Sequence, residues 1–220
     1  LQEANPLTEL FLMHARRAVL AATLSGITLA GCGSLLPAGH QVKDTAELAE
    51  GNYRLDPDHA TVMFRVNHLG FSTYVGRFNT ASASLNFNPA APEASSLDVT
   101  IDIASIDTPS DKLDDILKGD GWFDAARFPT ARFVSRIITV TGQDRGTVLG
   151  DLTLHGITRA VELSVTFNGG ANNLLTGKHT LGFAAIGMLK RSEFGISSLS
   201  PAIGEEVELE IHAEFQRIDG

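Results

Sequence analysis

The chain carries one cysteine and seven histidines among 220 residues, so its thiol and imidazole chemistry can be weighed residue by residue. Cys32 has no second cysteine for an internal disulfide and no register of histidines to complete a cysteine-based zinc site. It is either a buried thiol or a modified one. His155 and His212 fall on the polar parity of alternating segments and are expected at the surface, while His40 lies in a Gly/Pro-rich stretch. His68 differs, because it follows Val62, Phe64 and Val66 on the apolar parity and ends that run in "NHLG". A core or rim position is expected for it. Asp111, Asp114, Asp115, Asp120 and Asp124 lack the alternating spacing of a calcium loop and are expected on a solvated helix and its exit. There is no GxSxG elbow, no HExxH and no phosphate-cradling glycine loop. The residues thus point to no catalytic site, no metal and no cofactor. A formal charge of −9, from 17 basic against 26 acidic residues, repels phosphate backbones and argues against nucleic acid as a partner.

Cys32 gains meaning from what precedes it. In "MHARRAVLAATLSGITLAGCGS" a basic pair, Arg16 and Arg17, leads an apolar stretch from Ala18 to Ala30 and then small residues. That order is a secretory signal, and the stretch is too short for a permanent span of about 20 apolar residues. Leu29, Ala30, Gly31 and Cys32 resemble the bacterial lipobox, which implies a diacylglycerol on the Cys32 thiol and cleavage just before it. Residues 1–31 are therefore expected to be a signal region, with 1–12 upstream of the true start at Met13. Residues 32–51 are Gly-, Pro- and Ala-rich without period and are expected to be a lipid-attached tether. The expected location is the periplasmic side of the cell envelope, anchored to membrane. The Arg pair leaves the export route open between the general secretory and twin-arginine systems.

From Tyr53 onward the dominant period is two. "VELEIHAEFQ" sets Val207, Leu209, Ile211, Ala213 and Phe215 against Glu208, Glu210, His212, Glu214 and Gln216, the pattern of a half-buried strand. Eight such stretches are expected at roughly 60–68, 75–88, 96–107, 131–141, 146–155, 159–168, 177–188 and 205–217, several separated by Gly/Asn/Asp turns. Only "SDKLDDILKG" has helical spacing, with a Ser110 or Asp111 cap and a Gly119 stop. The expected fold of residues 52–218 is all-β: an eight-stranded antiparallel lipocalin-like barrel with one short helix. Strands of about 13 residues, rising roughly 3.3 Å each and tilted by about 40°, give an interior on the order of 30 Å tall.

Five segments in order resemble the YceI-like, polyisoprenoid-binding family: "YRLDPDHATVMFRVNHLGFSTYVGRFNTASASLNFNP" (53–89), "WFDAARFPTARFVS" (122–135), "GDLTLHGITRAVELSVTF" (150–167), "KRSEFGI" (190–196) and "GEEVELEIHAEF" (204–215). The resemblance implies a barrel that holds a long isoprenoid chain, of the quinone or polyprenyl phosphate type, for carriage, storage or sequestration rather than catalysis. A homodimer is the protein partner it leaves room for. The expected tail walls are Phe64, Val66, Phe78, Val99, Ile101, Phe133, Leu152, Leu154, Val165 and Phe183, with Trp122, Phe123 and Phe128 near the mouth. His68, Arg77 and Arg191 are candidates for a polar head group, and Arg191 serves equally well as a tie between a loop and the barrel. Met188 and Leu189, just before the Arg191 motif, are expected to narrow or reshape the pocket. The alternatives are a ligand-free envelope scaffold or stress protein, or an enzyme acting on isoprenoid lipids.

Overall fold

A computed structural model describes residues 41–44 and 47–218. The expected signal region, Cys32 and His40 lie outside these residues. Ten strands and one helix follow in the order β1 (Gly51–His68), β2 (Ser72–Phe78), β3 (Ala81–Phe87), β4 (Ser96–Asp102), β5 (Ile106–Asp107), α1 (Asp111–Lys118), β6 (Thr130–Val140), β7 (Arg145–Leu154), β8 (Ile157–Asn172), β9 (His179–Lys190) and β10 (Ile203–Arg217).

All strand pairings are antiparallel, and β1 pairs back with β10 to close the sheet. The ten strands form eight staves. A bend at Asn79 and Thr80 splits one expected strand into β2 and β3, which pair with the upper and lower halves of β1. A 3₁₀ turn at Ile103–Ser105 splits another into β4 and β5. The result is the closed eight-stranded barrel with one helix. Closure removes the two long free edges that an open sheet of this length would expose.

The first stave is longer than expected, because β1 begins at Gly51 rather than near residue 60. Its early half hides from a period-two reading. Between the pairs Leu55–Phe215 and Ala60–Ala213, the four residues Asp56 to His59 stand opposite the single residue Glu214. Such a bulge breaks the alternation and tolerates Pro57, which has no N–H to give to a ladder.

Two apolar clusters cap the barrel. At the helix end, Ile103, Phe133, Leu154, Phe194 and Ile196 pack together, with Trp122 and Phe123 against them. At the opposite end Leu48, Tyr53, Phe87, Leu181 and Phe215 do the same. Leu48 comes from the segment expected to be a tether, and it is only 6% exposed. Val42 exchanges two 2.9 Å backbone hydrogen bonds with Gly170, and the Lys43 ammonium lies 3.3 Å from the Asp144 carboxylate. The described part of residues 41–50 is therefore a strap across the barrel end, which corrects the tether boundary. Apolar residues in that stretch are too few to show a period, so only packing reveals the strap.

The helix is capped by Ser110, whose Oγ accepts from the Leu113 N–H, and it stops at Gly119. Its acidic face is not wholly solvated as expected. Asp114 is buried, and its carboxylate accepts from the Thr108 N–H at 2.9 Å, tying the helix to the β5 exit. Leu113 and Leu117 turn toward the barrel interior.

Candidate functional site

Between the two caps lies a cavity of about 500 Å³. Its walls are the inward residues of the alternating strands, and their accessibility shows that side chains do not fill the space. Val207, Leu209, Ile211 and Ala213 all face inward along β10, yet none of them is fully buried. Phe64 and Val66 on β1, Val99 and Ile101 on β4, and Val165 and Phe183 on β8 and β9 are likewise only half-buried. A core packed like an organic crystal would have excluded water from them. The barrel is hollow.

Aromatic rings frame both ends of the space. Phe64 and Phe78 have ring centroids 5.8 Å apart, and Phe78 meets Phe123 edge-on at 5.8 Å, so one run of rings joins β1 to the segment after α1. At the strap end Phe167, Phe183 and Phe215 form a second run, with centroids at 5.3 and 5.9 Å. Phe64 can lie where it does because β2 carries Gly76 beside it. A Cβ on Gly76 would stand 2.4 Å from Phe64 Cζ.

Most of the expected wall residues line this cavity. Phe64, Val66, Phe78, Val99 and Ile101 do so on one side, and Phe133, Leu152, Leu154, Val165 and Phe183 on the other, with Trp122 and Phe123 at the helix end. Phe128 does not. Its ring packs edge-on against His155, with centroids 4.7 Å apart, under the β7–β8 turn. That turn has positive φ at both His155 (53°) and Gly156 (73°), and a Cβ on Gly156 would meet Phe128 Cε1 at 2.5 Å. His155 is accordingly half-buried, with Nδ1 3.1 Å from the Phe194 carbonyl, rather than a plain surface residue. The parity rule fails there because a turn does not obey it. Leu189 lines the cavity as expected, whereas Met188 points outward and is 52% exposed.

The polar candidates separate clearly. Arg191 is 4% exposed and donates to four carbonyls, those of Ile196, Ser198, Ile203 and Gly204, at 2.8 to 3.1 Å. Its guanidinium also lies 5.8 Å from the Trp122 ring. It borders the cavity as the tie that holds the 196–204 loop on the barrel, with four of its five N–H donors already given to carbonyls. Arg77 is not a cavity residue. It points outward to the Asp107 carboxylate at 3.0 Å, and hydrogen bonds from Asn79 and then Arg77 hold that carboxyl below the usual range. His68 does line the cavity, 6.0 Å between ring centroids from Tyr74. Among the described residues neither of these two side chains has a hydrogen-bond partner.

The outer face carries the charge. Arg65 holds Glu210 below the ordinary carboxylate range through hydrogen bonds as short as 2.5 Å, and Arg132 does the same to Asp98. A further polar pair, Tyr53 buried and His179 half-buried, closes the strap end. The Tyr53 hydroxyl donates to the Ala49 carbonyl at 2.6 Å and lies 3.0 Å from His179 Nδ1. Burial pushes the Tyr53 hydroxyl up to about 12 and pushes the His179 imidazole down. Sequence reasoning did not select Tyr74 or the inward residues of β10 as cavity walls. The alternation in "VELEIHAEFQ" carried the signal for β10; Tyr74 lies in β2, one residue before the strand expected at 75–88.

Comparison with known proteins follows the same architecture. A family model described as the YceI-like domain matches residues 53–215. A UPF0312 protein of Pseudomonas savastanoi pv. phaseolicola is 32% identical over 181 residues, covering 81% of this chain and 93% of the relative. One from Yersinia pestis is 36% identical over 166 residues, covering 74% and 85%. Among solved structures, Burkholderia cenocepacia BcnA superposes with a TM-score of 0.66 at 28% identity, covering 73% of this chain and 98% of that one. A polyisoprenoid binding domain from Saccharophagus degradans, implicated in plant cell wall breakdown, matches with a TM-score of 0.58 at 15% identity, covering 77% and 99%. At that identity the likeness is one of fold.

Proposed function

The chain belongs to the YceI-like family, and from that premise we propose that its barrel binds a long isoprenoid chain and serves to carry, store or sequester it. The observation that carries this reading is the hollow, apolar interior: inward Val, Leu, Ile and Phe side chains are left half-buried around about 500 Å³. At roughly 30 Å³ per carbon, taken as the share of a water-sized group, about 17 carbons fit within the barrel. Burying them gains on the order of 13 kcal/mol at about 0.8 kcal/mol each, before the cost of ordering the tail is subtracted. A longer chain extends past one of the ends.

The head group is constrained by charge. Among the cavity-lining cations, Arg191 is committed to carbonyls, and Arg145 sits in the exposed β6–β7 turn beside Asp144. A phosphate drawn into the interior would be an unpaired buried anion, which costs several kcal/mol. Phosphates stay outside, whereas a quinone or alcohol oxygen finds His68 and Tyr74. The reading also holds that the protein is not an enzyme, and that Cys32 is lipidated and anchors it on the periplasmic side of a membrane. A filled scaffold is disfavoured by the half-buried inward residues.

Purification of the chain from a bacterial host, solvent extraction and mass spectrometry test the ligand, with near-stoichiometric isoprenoid expected. Extracts free of isoprenoid from protein that also fails to take up added polyprenol refute it. For the anchor, Cys32→Ser is expected to leave the membrane fraction, and a variant that stays there contradicts the lipidation.

A further inference from the structure

The β1 bulge sits outside the cavity, and the site described above makes no use of it. Its four residues "DPDH" bring a carboxylate and an imidazole from one strand to a carboxylate on the next. Asp56, His59 and Glu214 each offer a ligand atom, and these atoms lie within 4.8 Å of one another. His59 Nδ1 is hydrogen-bonded to Asp56 Oδ2 at 3.0 Å, a spacing that two ligands of one ion also adopt once the shared proton is displaced. We propose that Asp56, His59 and Glu214 form a divalent-cation site of mixed nitrogen and oxygen donors on the outer wall of the barrel.

The donor set narrows the cation. One imidazole with two carboxylates suits zinc and its first-row neighbours better than calcium, which prefers six or more oxygens. Two ligands about 2.1 Å from one tetrahedral ion sit about 3.4 Å apart, so a gap of up to 4.8 Å must close by as much as about 1.4 Å. Glu214 makes no hydrogen bond or ion pair among the described residues, and His59, 60% exposed at its side chain, is held only by its bond to Asp56. Asp56, by contrast, is held. Its side chain is only 11% exposed, accepting from the Asp58 N–H at 3.2 Å and from Gln216 Nε2 at 2.5 Å. Gln216 is in turn oriented by the Lys178 ammonium, which donates to its Oε1 at 2.9 Å. One fixed ligand with outer hydrogen-bond support and two adjustable ones is an arrangement that can close on an ion. The rigid strands β1 and β10 set the spacing, and the bulge puts the Asp56 and His59 side chains on the same side as Glu214.

Calorimetric titration of the full chain with zinc chloride tests the site, alongside His59→Ala, Glu214→Gln and a control, His212→Ala, which removes another exposed histidine of the same face. The wild type and the control are expected to take one zinc ion with equal affinity, and each of the two site variants to bind it about tenfold more weakly or worse. Thermal unfolding in chelator is expected to give all four proteins the same midpoint, with zinc raising it only in the wild type and the control. Equal zinc affinity in wild type and both site variants overturns the proposal, as does a wild type that takes up no zinc.

Discussion

Ala185 offers the sharpest handle on the hollow interior. It lies on β9 between Val165 of β8 and Ile211 of β10, all three lining the cavity. Ala185→Phe adds six carbons, or roughly 180 Å³ at about 30 Å³ each, against a cavity of about 500 Å³. About a third of the space is lost. If six ligand carbons are displaced at about 0.8 kcal/mol each, the loss is at most about 5 kcal/mol, more than a thousandfold in affinity. A chain that slides toward one end recovers part of this, so a weakening of about a hundredfold or more is expected. The assay is displacement of a fluorescent prenyl probe by polyprenol, with bound lipid counted by mass spectrometry. The ring enters empty space, so the thermal midpoint of the lipid-free variant should match or exceed that of the wild type. Unchanged affinity with unchanged stoichiometry refutes the placement of the ligand inside the barrel.

Three other perturbations have defined outcomes. Arg191→Lys replaces a planar fork that serves four carbonyls by a single ammonium, and denaturant unfolding should show a loss of about 2–4 kcal/mol. Leu48→Ala should cost about 2–4 kcal/mol by the same measurement, since the residue is packed in the strap-end core; no loss means the strap is a linker after all. The Tyr53–His179 pair should bound stability from both sides. Tyr53 has a folded value of about 12, above its ordinary 10, so its contribution is whole below pH 10 and is lost as pH rises through 12. His179 is depressed by burial, so its contribution is present above about pH 6.5 and falls away as pH drops below it. Tyr53→Phe should flatten the alkaline limb of stability against pH and leave the acid limb in place.

The fold was legible because the barrel depends on alternation, and alternation survives in a single sequence. "VELEIHAEFQ" states its inward and outward faces outright, and the observed β10 follows them. Where the strand departs from regular geometry, the pattern fails. The early half of β1 is hidden by its bulge, and the bends at Asn79 and at Ile103–Ser105 each divide a strand that reads as continuous. The cavity walls were legible for the same reason as the strands, since an inward apolar residue must face either core or ligand. Phe128, expected near the mouth, is instead held under the turn at His155 and Gly156. The strap was illegible because its apolar residues are spaced without period. The Asp56–His59–Glu214 cluster was hidden for a different reason: closure of the sheet brings together residues from the two ends of the barrel domain. A sequence can show parity along one strand, but not which strand will lie beside it.

Nuclear magnetic resonance of the methyl-labelled chain with added polyprenol tests most directly whether the ligand lies inside. Intermolecular contacts and shift changes are predicted at the inward methyls of Val99, Val165, Leu209 and Ile211, with Ile186 and Ile137 on the outer wall unmoved. Changes confined to Ile186, Ile137 and other outward methyls, with the inward set silent, would contradict it.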